Sequence, residues 1–135
     1  MARILIAEDD QLISRMYQKI FEIEHFEVVV AENGQEALDK TRATKPRVIL
    51  LDVMMPIMNG LETLQKLKAD PETKNIPVIM LTNLAGDKDS EVALANGAVK
   101  YIVKSQYSPR QIATMVEEIL KGYTRNDIPD PASSK

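Results

Sequence analysis

Short apolar runs alternate with helical patterns along almost the whole chain, and this alternation limits the possible folds more than any other feature. The runs that read as β-strands are 3–7, 27–31, 48–52, 77–82 and 99–103. Between them, apolar residues recur at helical spacing, as Ile13, Tyr17 and Ile20 do. Strands that alternate with helices predict βα units, and therefore a parallel sheet with helices on both faces.

The helical segments have recognisable ends. The predicted helices include 34–43 and 87–96, and Gly97 follows the second of these as a terminating residue. The last helix begins at Ser108 and Pro109, an N-cap followed by a first-turn proline. We expect one domain over 1–122, and a disordered tail over 123–135, which is polar and has no periodicity.

The composition is that of one globular domain. The chain has 135 residues, of which 44% are hydrophobic and 27% are charged, enough for a single core. The net charge is −3 and the basic residues are scattered, so we expect no direct contact with nucleic acid. The chain has no cysteine, which excludes disulfides and thiol chemistry. With no membrane-span pattern and no signal-peptide pattern, we expect a cytoplasmic protein with no membrane partner.

Polar side chains lie at the carboxyl ends of four of the predicted strands, either as the last strand residue or directly after it. They are Glu8-Asp9-Asp10, Asp52, Thr82-Asn83 and Lys104-Ser105. Parallel strands bring such residues to one edge of the sheet, where ligands bind in folds of this kind. Crowded carboxylates raise one another's pKa, and a divalent cation relieves the repulsion. Mg²⁺ suits a site of few carboxylates and waters. We assign Asp10 to the N-cap of the first helix and not to the metal ligands.

Asp52 is the expected reactive group of this edge. A strand-end carboxylate beside a metal and a lysine can act as a nucleophile that accepts a phosphoryl group. Phosphoryl transfer needs positioning and charge neutralisation, which Mg²⁺ and Lys104 would supply. The hydroxyl of Thr82 can reach an added oxyanion. Each residue alone is more often a cap or a solvated turn, so the combination carries the prediction.

The segments ILIAEDD, LLDVMMPIMNG, VIMLTN and GAVKYIVK together resemble the receiver domain of bacterial two-component response regulators. The class includes the single-domain chemotaxis regulator, and the resemblance covers roughly residues 2–122. It implies an α/β, three-layer, doubly wound (βα)5 flavodoxin-like fold. The parallel five-stranded sheet would then have the strand order 2-1-3-4-5.

The resemblance also implies a metal set around the acceptor. Asp52 corresponds to the phosphoacceptor, and Glu8 and Asp9 to the acid pair that binds Mg²⁺. Asp52 itself and the backbone carbonyl of Met54 would complete the protein's contacts to the metal.

Further roles follow from the same resemblance. Lys104, Thr82 and the backbone amide of Asn83 would stabilise the phosphoryl group, and Thr82 and Tyr101 would form the switch pair. Receivers usually have a small residue after the threonine, so Asn83 is expected to narrow access to the site. Receivers also usually have proline after the lysine. This chain has Ser105, so we expect a trans peptide bond between Lys104 and Ser105.

The implied function is that of a stand-alone signalling receiver in a phosphorelay. A sensor histidine kinase or a phosphotransfer protein would phosphorylate Asp52 with the help of Mg²⁺. The phosphorylated state would then bind a downstream target protein, or a second copy of itself, through the fourth helix, fifth strand and fifth helix. Its own chemistry would be limited to self-phosphotransfer and autodephosphorylation.

Two other functions are open to a chain with these residues. A Mg²⁺-dependent phosphohydrolase with an aspartyl nucleophile typically needs a second acid two residues later, where this chain has the apolar Met54. That substitution disfavours turnover of an external substrate. An inactive scaffold receiver would lack an acid, the acceptor or the lysine, and none of these is missing.

Overall fold

A computed structural model describes residues 2–84 and 86–122. Within these ranges the strands are β1 (Arg3–Ala7), β2 (Glu27–Ala31), β3 (Val48–Leu51), β4 (Val78–Thr82) and β5 (Lys100–Val103). The α-helices are α1 (Gln11–Ile23), α2 (Gly34–Thr44), α3 (Gly60–Ala69), α4 (Asp87–Ala95) and α5 (Pro109–Gly122). A short 3₁₀ turn, Lys104–Gln106, links β5 to α5. The predicted disorder of 123–135 lies outside the described residues.

The strands form one parallel sheet with the order β2-β1-β3-β4-β5, which confirms the expected fold and strand order. Ala7 of β1 pairs with Ala31 of β2 on one side and with Leu51 of β3 on the other. At the far side of the sheet, Thr82 of β4 pairs with Val103 of β5. The strands β1, β2 and β3 therefore end level with one another, and so do β4 and β5, whereas Leu51 of β3 pairs with Met80, two residues before the end of β4. The residues at and after the strand ends meet at one edge of the sheet.

Helices cover both faces of the sheet, so the fold has three layers. Alternate residues of each strand point to opposite faces: Ile4 and Ile6 face α1 and α5, whereas Leu5 and Ala7 face α2, α3 and α4. Every residue of β3 and β4 is buried, because helices cover both faces of these inner strands. No helix in the described part of the chain combines the length and apolar character that crossing a bilayer requires.

Polar side chains cap the helices where the sequence predicted. Asp10 is the N-cap of α1 and accepts hydrogen bonds from the N–H groups of Leu12 and Ile13, at 2.9 and 3.2 Å. Gly97 follows the end of α4 with φ of 105°, a left-handed conformation that glycine adopts without strain. The capping signals of these two helices were therefore interpreted correctly.

The predicted element ends differ from the observed ones by one residue. The third strand ends at Leu51 and not at Asp52, because the Asp52 side chain accepts the Met54 N–H and starts a turn. The fourth and fifth strands begin at Val78 and Lys100, one residue later than predicted. Helix α2 continues one residue further, to Thr44, and α4 ends at Ala95, one residue earlier than predicted.

Candidate functional site

Three carboxylates meet at the edge of the sheet where the strands end. Glu8 and Asp9 follow β1 and Asp52 follows β3, and carboxylate oxygens of all three lie within 4.8 Å of one another. Glu8 and Asp52 are buried, with 4% and 7% of their surface exposed, whereas Asp9 is exposed. Two buried acids at this distance would repel each other strongly without a compensating cation.

Lys104 supplies that positive charge from β5's side of the sheet. Its ammonium group lies 3.0 Å from Oδ2 of Asp52 and also bonds to Oε1 of Glu8. The side chain of Lys104 is 9% exposed, so these ion pairs are shielded from solvent. Burial lowers the pKa of Lys104, but its bonds and ion pairs with Glu8 and Asp52 outweigh burial, and the pKa is raised. Lys104 is therefore an ammonium ion at neutral pH.

The acids also receive backbone hydrogen bonds that fix their orientation. The N–H of Asp10 donates to Oε2 of Glu8 at 3.1 Å, and the N–H of Met54 donates to Oδ1 of Asp52 at 3.2 Å. Burial raises the pKa of Glu8, while the bonds from Lys104 and Asp10 oppose that shift. In each buried carboxylate, one oxygen thus accepts a hydrogen bond from Lys104 and the other accepts one from a backbone amide.

These donors fit a small, hard divalent cation. Mg²⁺ takes oxygen ligands, usually one or two carboxylates together with waters. Glu8, Asp9 and Asp52 offer carboxylate oxygens within 4.8 Å of one another, and exposed Asp9 leaves one side of the cluster open to solvent. The Met54 side chain is 62% exposed, and the role of its backbone carbonyl as a metal contact stays a prediction.

Gly60 allows α3 to begin directly beside Asp52. A Cβ atom at this position would lie 2.0 Å from the backbone oxygen of Asp52. The N–H of Gly60 donates to the carbonyl of Val53 at 2.8 Å, which closes the loop. Gly60 is the first residue of α3. A larger residue would push the helix away and move the turn that holds Asp52.

Ile57 was not singled out from the sequence, although it occupies the most unusual backbone position of this loop. Its φ is 70°, and the N–H of Met58 donates to the carbonyl of Pro56 at 2.7 Å. This is a γ-turn with a positive φ at its centre, the rarer and more strained form. A β-branched residue is not expected there. Ile57 is 81% exposed, so the loop presents an apolar side chain to solvent.

Thr82 and Tyr101 lie on neighbouring strands and both contact Leu84 in the loop after β4. The N–H of Leu84 donates to the hydroxyl oxygen of Thr82 at 3.3 Å. The hydroxyl of Tyr101 donates to the carbonyl of Leu84 at 2.7 Å. Thr82 is 1% exposed, whereas Asn83 is exposed. The structure therefore links the two predicted switch residues through one loop residue, Leu84.

Tyr17 is a further neighbour whose relation to the site was missed. It was predicted only as part of the apolar face of the first helix, and it is 3% exposed. Burial raises its pKa, Lys104 opposes the shift, and the charges of Glu8 and Asp52 add to it. The phenol group of Tyr17 thus lies within electrostatic range of the carboxylates of Glu8 and Asp52.

Ser105 continues the chain after Lys104 within the 3₁₀ turn, and it is exposed. Every peptide bond in residues 2–84 and 86–122 is trans, which confirms the prediction for the bond between Lys104 and Ser105. Lys104 reaches both acids with this trans bond.

A family model described as the response regulator receiver domain matches residues 4–117. The polar-differentiation response regulator DivK of Brucella anthropi is 37% identical over 112 residues, which cover 83% of this chain and 91% of DivK. The alkaline phosphatase synthesis transcriptional regulatory protein PhoP of Bacillus subtilis is 34% identical over 97% of this chain. That match spans only 52% of PhoP.

Solved structures agree with these sequence relatives. The signal receiver domain of a signal transduction histidine kinase from Syntrophus aciditrophicus superposes with a TM-score of 0.84 and 32% identity, covering 94% of this chain and 96% of that one. A CheY-like response regulator receiver domain protein from Methanospirillum hungatei gives 0.81 and 34%, covering 90% and 94%.

Proposed function

Because the chain belongs to the family of response regulator receiver domains, which serve phosphorylation-dependent two-component signalling, we propose that Asp52 is its phosphoacceptor. One observation supports this most strongly. The Lys104 ammonium contacts both Asp52 and Glu8 at the edge where the strands end. A carboxylate held in this way is oriented for attack and has a cation beside the charge that a phosphoryl group adds.

We propose that the donor is a phosphohistidine on a sensor kinase or a phosphotransfer protein. The bond between phosphorus and the donor's imidazole nitrogen breaks as a bond to a carboxylate oxygen of Asp52 forms. Lys104 stays bonded to the carboxylates of Glu8 and Asp52. The Thr82 hydroxyl and the backbone amide of Asn83 bind the oxygens of the transferred group. Transfer of this kind depends on positioning and charge neutralisation more than on covalent catalysis.

We propose Mg²⁺ as the cofactor, held by Glu8, Asp9 and Asp52 together with the Met54 carbonyl. When bound, it neutralises charge on the phosphoryl oxygens and offsets the repulsion among the acids. The protein's own contribution is to keep two of these acids buried and oriented by Asp10, Met54 and Lys104.

We propose that the signal leaves the site through Thr82, Leu84 and Tyr101. The Thr82 hydroxyl oxygen accepts the Leu84 N–H, and a hydroxyl that accepts can also donate its own hydrogen, here to a phosphoryl oxygen. A shift of Thr82 toward the phosphoryl group would move Leu84, and with it the carbonyl that Tyr101 holds. Phosphorylation would then favour one of two arrangements of the loop and of α4.

The surface that responds would be that of α4, β5 and α5, within a receiver domain that we place at 1–122. It carries exposed apolar side chains: Val92 and Leu94 on α4 are 38% and 46% exposed, and Tyr107 before α5 is 40% exposed. We propose that a downstream target protein, or a second copy of this chain, binds there after phosphorylation. No contact with nucleic acid or membrane is part of this proposal.

Receiver domains are signalling proteins and not classical enzymes. We propose that the only chemistry of this chain is its own phosphorylation and dephosphorylation. The position two residues after Asp52 holds Met54, whose apolar side chain cannot serve as the general acid of a phosphohydrolase.

The proposal is tested by phosphotransfer from candidate histidine kinases that have been autophosphorylated with labelled ATP. Label should move to the wild-type chain when Mg²⁺ is present, and should not move to Asp52→Asn. A chromogenic phosphate ester, added in parallel, should not be hydrolysed catalytically. Multiple turnovers of the ester that Asp52→Asn abolishes would support the phosphohydrolase instead.

A further inference from the structure

Strand β2 is the outer strand of the sheet, and within residues 2–84 and 86–122 no strand pairs with the other side of its backbone. The N–H of Glu27 donates to Ala2 at 2.8 Å, and the carbonyl of Ala31 accepts from Glu8 at 3.0 Å, so these residues face β1. In a parallel ladder, successive residues direct their backbone groups to opposite sides. The groups of Val28 and Val30 therefore point to the open edge.

Two side chains of α2 occupy the carboxyl-terminal half of this edge. Oε1 of Glu36 accepts the N–H of Glu32, just after β2, at 3.1 Å. Nζ of Lys40 donates to the carbonyl of Val30 at 2.6 Å. The two side chains are one helical turn apart and form an ion pair at 3.6 Å. One donor and one acceptor of the edge are thus already bonded.

Helix α3 begins with the same sequence pattern as α2 but, in the described part of the chain, does not bond to a strand backbone in the way that Glu36 and Lys40 do. Both helices follow an asparagine N-cap and carry the pattern Asn-Gly-x-Glu-x-x-x-Lys, with Glu62 and Lys66 as the second pair. The strand before α3 lies inside the sheet and has no open edge. Within the described residues, Glu62 and Lys66 make no side-chain hydrogen bond to a strand.

We propose that Glu36 and Lys40 close the outer edge of β2 against strand addition by a second copy of this chain. The strand reads EVVVA, with three β-branched residues in a row, a composition that favours pairing of extended segments. Every copy carries the same segment, and open edges of this kind lead to edge-to-edge association unless they are covered or charged. A second strand would have to displace both side chains from the backbone.

Glu36 and Lys40 would cover the edge of β2 whether or not Asp52 is phosphorylated. The edge of β2 lies at the opposite end of the sheet from β5, and so away from the surface proposed to respond to phosphorylation. Association through β2 can therefore be distinguished from association through α4, β5 and α5 by which backbone amides become protected from hydrogen exchange.

The test compares Glu36→Ala/Lys40→Ala with Glu62→Ala/Lys66→Ala in unphosphorylated protein. Both variants lose one acid and one base from the same positions of a similar helix, and alanine keeps helix propensity high. We call Glu36→Ala/Lys40→Ala the α2 variant and Glu62→Ala/Lys66→Ala the α3 variant. Sedimentation velocity over a concentration series should show that the self-association constant of the α2 variant is roughly tenfold or more above that of wild type. The α3 variant should behave as the wild type does. Equal behaviour of the two variants would overturn the proposal.

Hydrogen exchange then locates the contact. In the dilute α2 variant, the amide of Glu32 should exchange faster than in wild type, because it has lost the Glu36 carboxylate. At high concentration, the amides of Val28 and Val30 should gain protection. Association of the α2 variant with protection confined to α4, β5 and α5 would also overturn the proposal.

Discussion

The hydroxyl of Tyr101 donates a hydrogen bond to the backbone carbonyl of Leu84 at 2.7 Å, across the gap between β5 and the loop after β4. The N–H of the same Leu84 donates to Thr82 at 3.3 Å. The half-buried Tyr101, near the proposed signalling surface, is thus hydrogen-bonded to the loop that follows Thr82, the residue proposed to bind the phosphoryl group. The hydroxyl of Tyr101, and not its ring alone, becomes part of the proposed switch.

Tyr101→Phe removes this hydrogen bond and keeps the ring. A hydrogen bond of this kind contributes about 1 kcal/mol, so the equilibrium between the two states of the loop should shift about fivefold. We expect the fluoroberyllate mimic still to bind, with an affinity changed by no more than about fivefold, but to change hydrogen exchange in α4 and β5 less than in wild type. Tyr107→Phe, which alters an exposed tyrosine, serves as the control. An unchanged response in Tyr101→Phe would contradict the proposed route.

Lys104→Met removes the cation that Glu8 and Asp52 share. The acids are then left with backbone donors only, so we expect Mg²⁺ to bind roughly tenfold tighter or more, since it no longer competes with an ammonium. Phosphorylation should nevertheless slow by about 10²-fold or more, because a charge that stabilises the transition state is lost. Thermal shift against Mg²⁺ and intact mass measure the two effects. Lys100→Met, an exposed lysine on β5, should change neither. Weaker Mg²⁺ binding by Lys104→Met would refute the competition.

The lifetime of the phosphorylated state should depend on Met54 and Leu84. Each stands two residues after a residue of the site, and neither apolar side chain can orient an attacking water. Met54→Asn combined with Leu84→Glu should therefore speed autodephosphorylation by about 10²-fold, the lower end of what general acid–base assistance contributes. Phosphate release after removal of the donor measures the rate. Ile57→Asn, in the same loop as Met54, is the control. A rate that is unchanged or slower in the double variant would show that other groups control water access.

Lys68 gives the fold a pH dependence that is separate from the site. Its ammonium donates to the carbonyls of Lys74 and Ile76 at 3.0 and 2.8 Å, and burial lowers its pKa from 10.5 to about 8. Between these values the unfolded chain binds more protons than the folded one, so stability rises with pH. The free energy of unfolding of wild type, relative to Lys68→Met, should therefore increase from pH 7.5 to 9.5.

Urea unfolding at the two pH values measures the Lys68 effect. Lys66→Met, an exposed lysine on the same helix, should show no such relative change. A difference between wild type and Lys68→Met that stays flat or falls with rising pH would contradict the assignment.

Most of the fold and the composition of the site could be predicted from the sequence. The alternation of apolar runs with helical patterns gives the layers, and parallel strands place the residues after them at one edge whatever the details of packing. The residues expected there are found at the strand ends: Thr82 is the last residue of β4, and Glu8, Asp9, Asp52 and Lys104 follow β1, β3 and β5. These conclusions depend only on the periodicity of apolar residues and on the order of strands and helices along the chain, and both can be read from a single sequence.

Contacts that depend on three-dimensional distances could not be predicted. Propensity argues against a positive φ at Ile57, yet this residue has a φ of 70° in the loop between Asp52 and α3. Glu36 and Glu62 occupy equivalent positions in similar helices, yet only Glu36 reaches an open strand edge. Nothing in the local sequence separates the two glutamates, because the difference arises from the strand order of the sheet.

The most direct test of the central proposal is the intact mass of the protein after incubation with acetyl phosphate, with and without Mg²⁺. Wild type should gain one phosphoryl group, and only when Mg²⁺ is present. Asp52→Asn should gain none, while Asp39→Asn, which changes an exposed aspartate on α2, should match wild type. Phosphorylation of Asp52→Asn at the wild-type rate, or an equal gain of mass without Mg²⁺, would contradict the assignment of Asp52 and its metal.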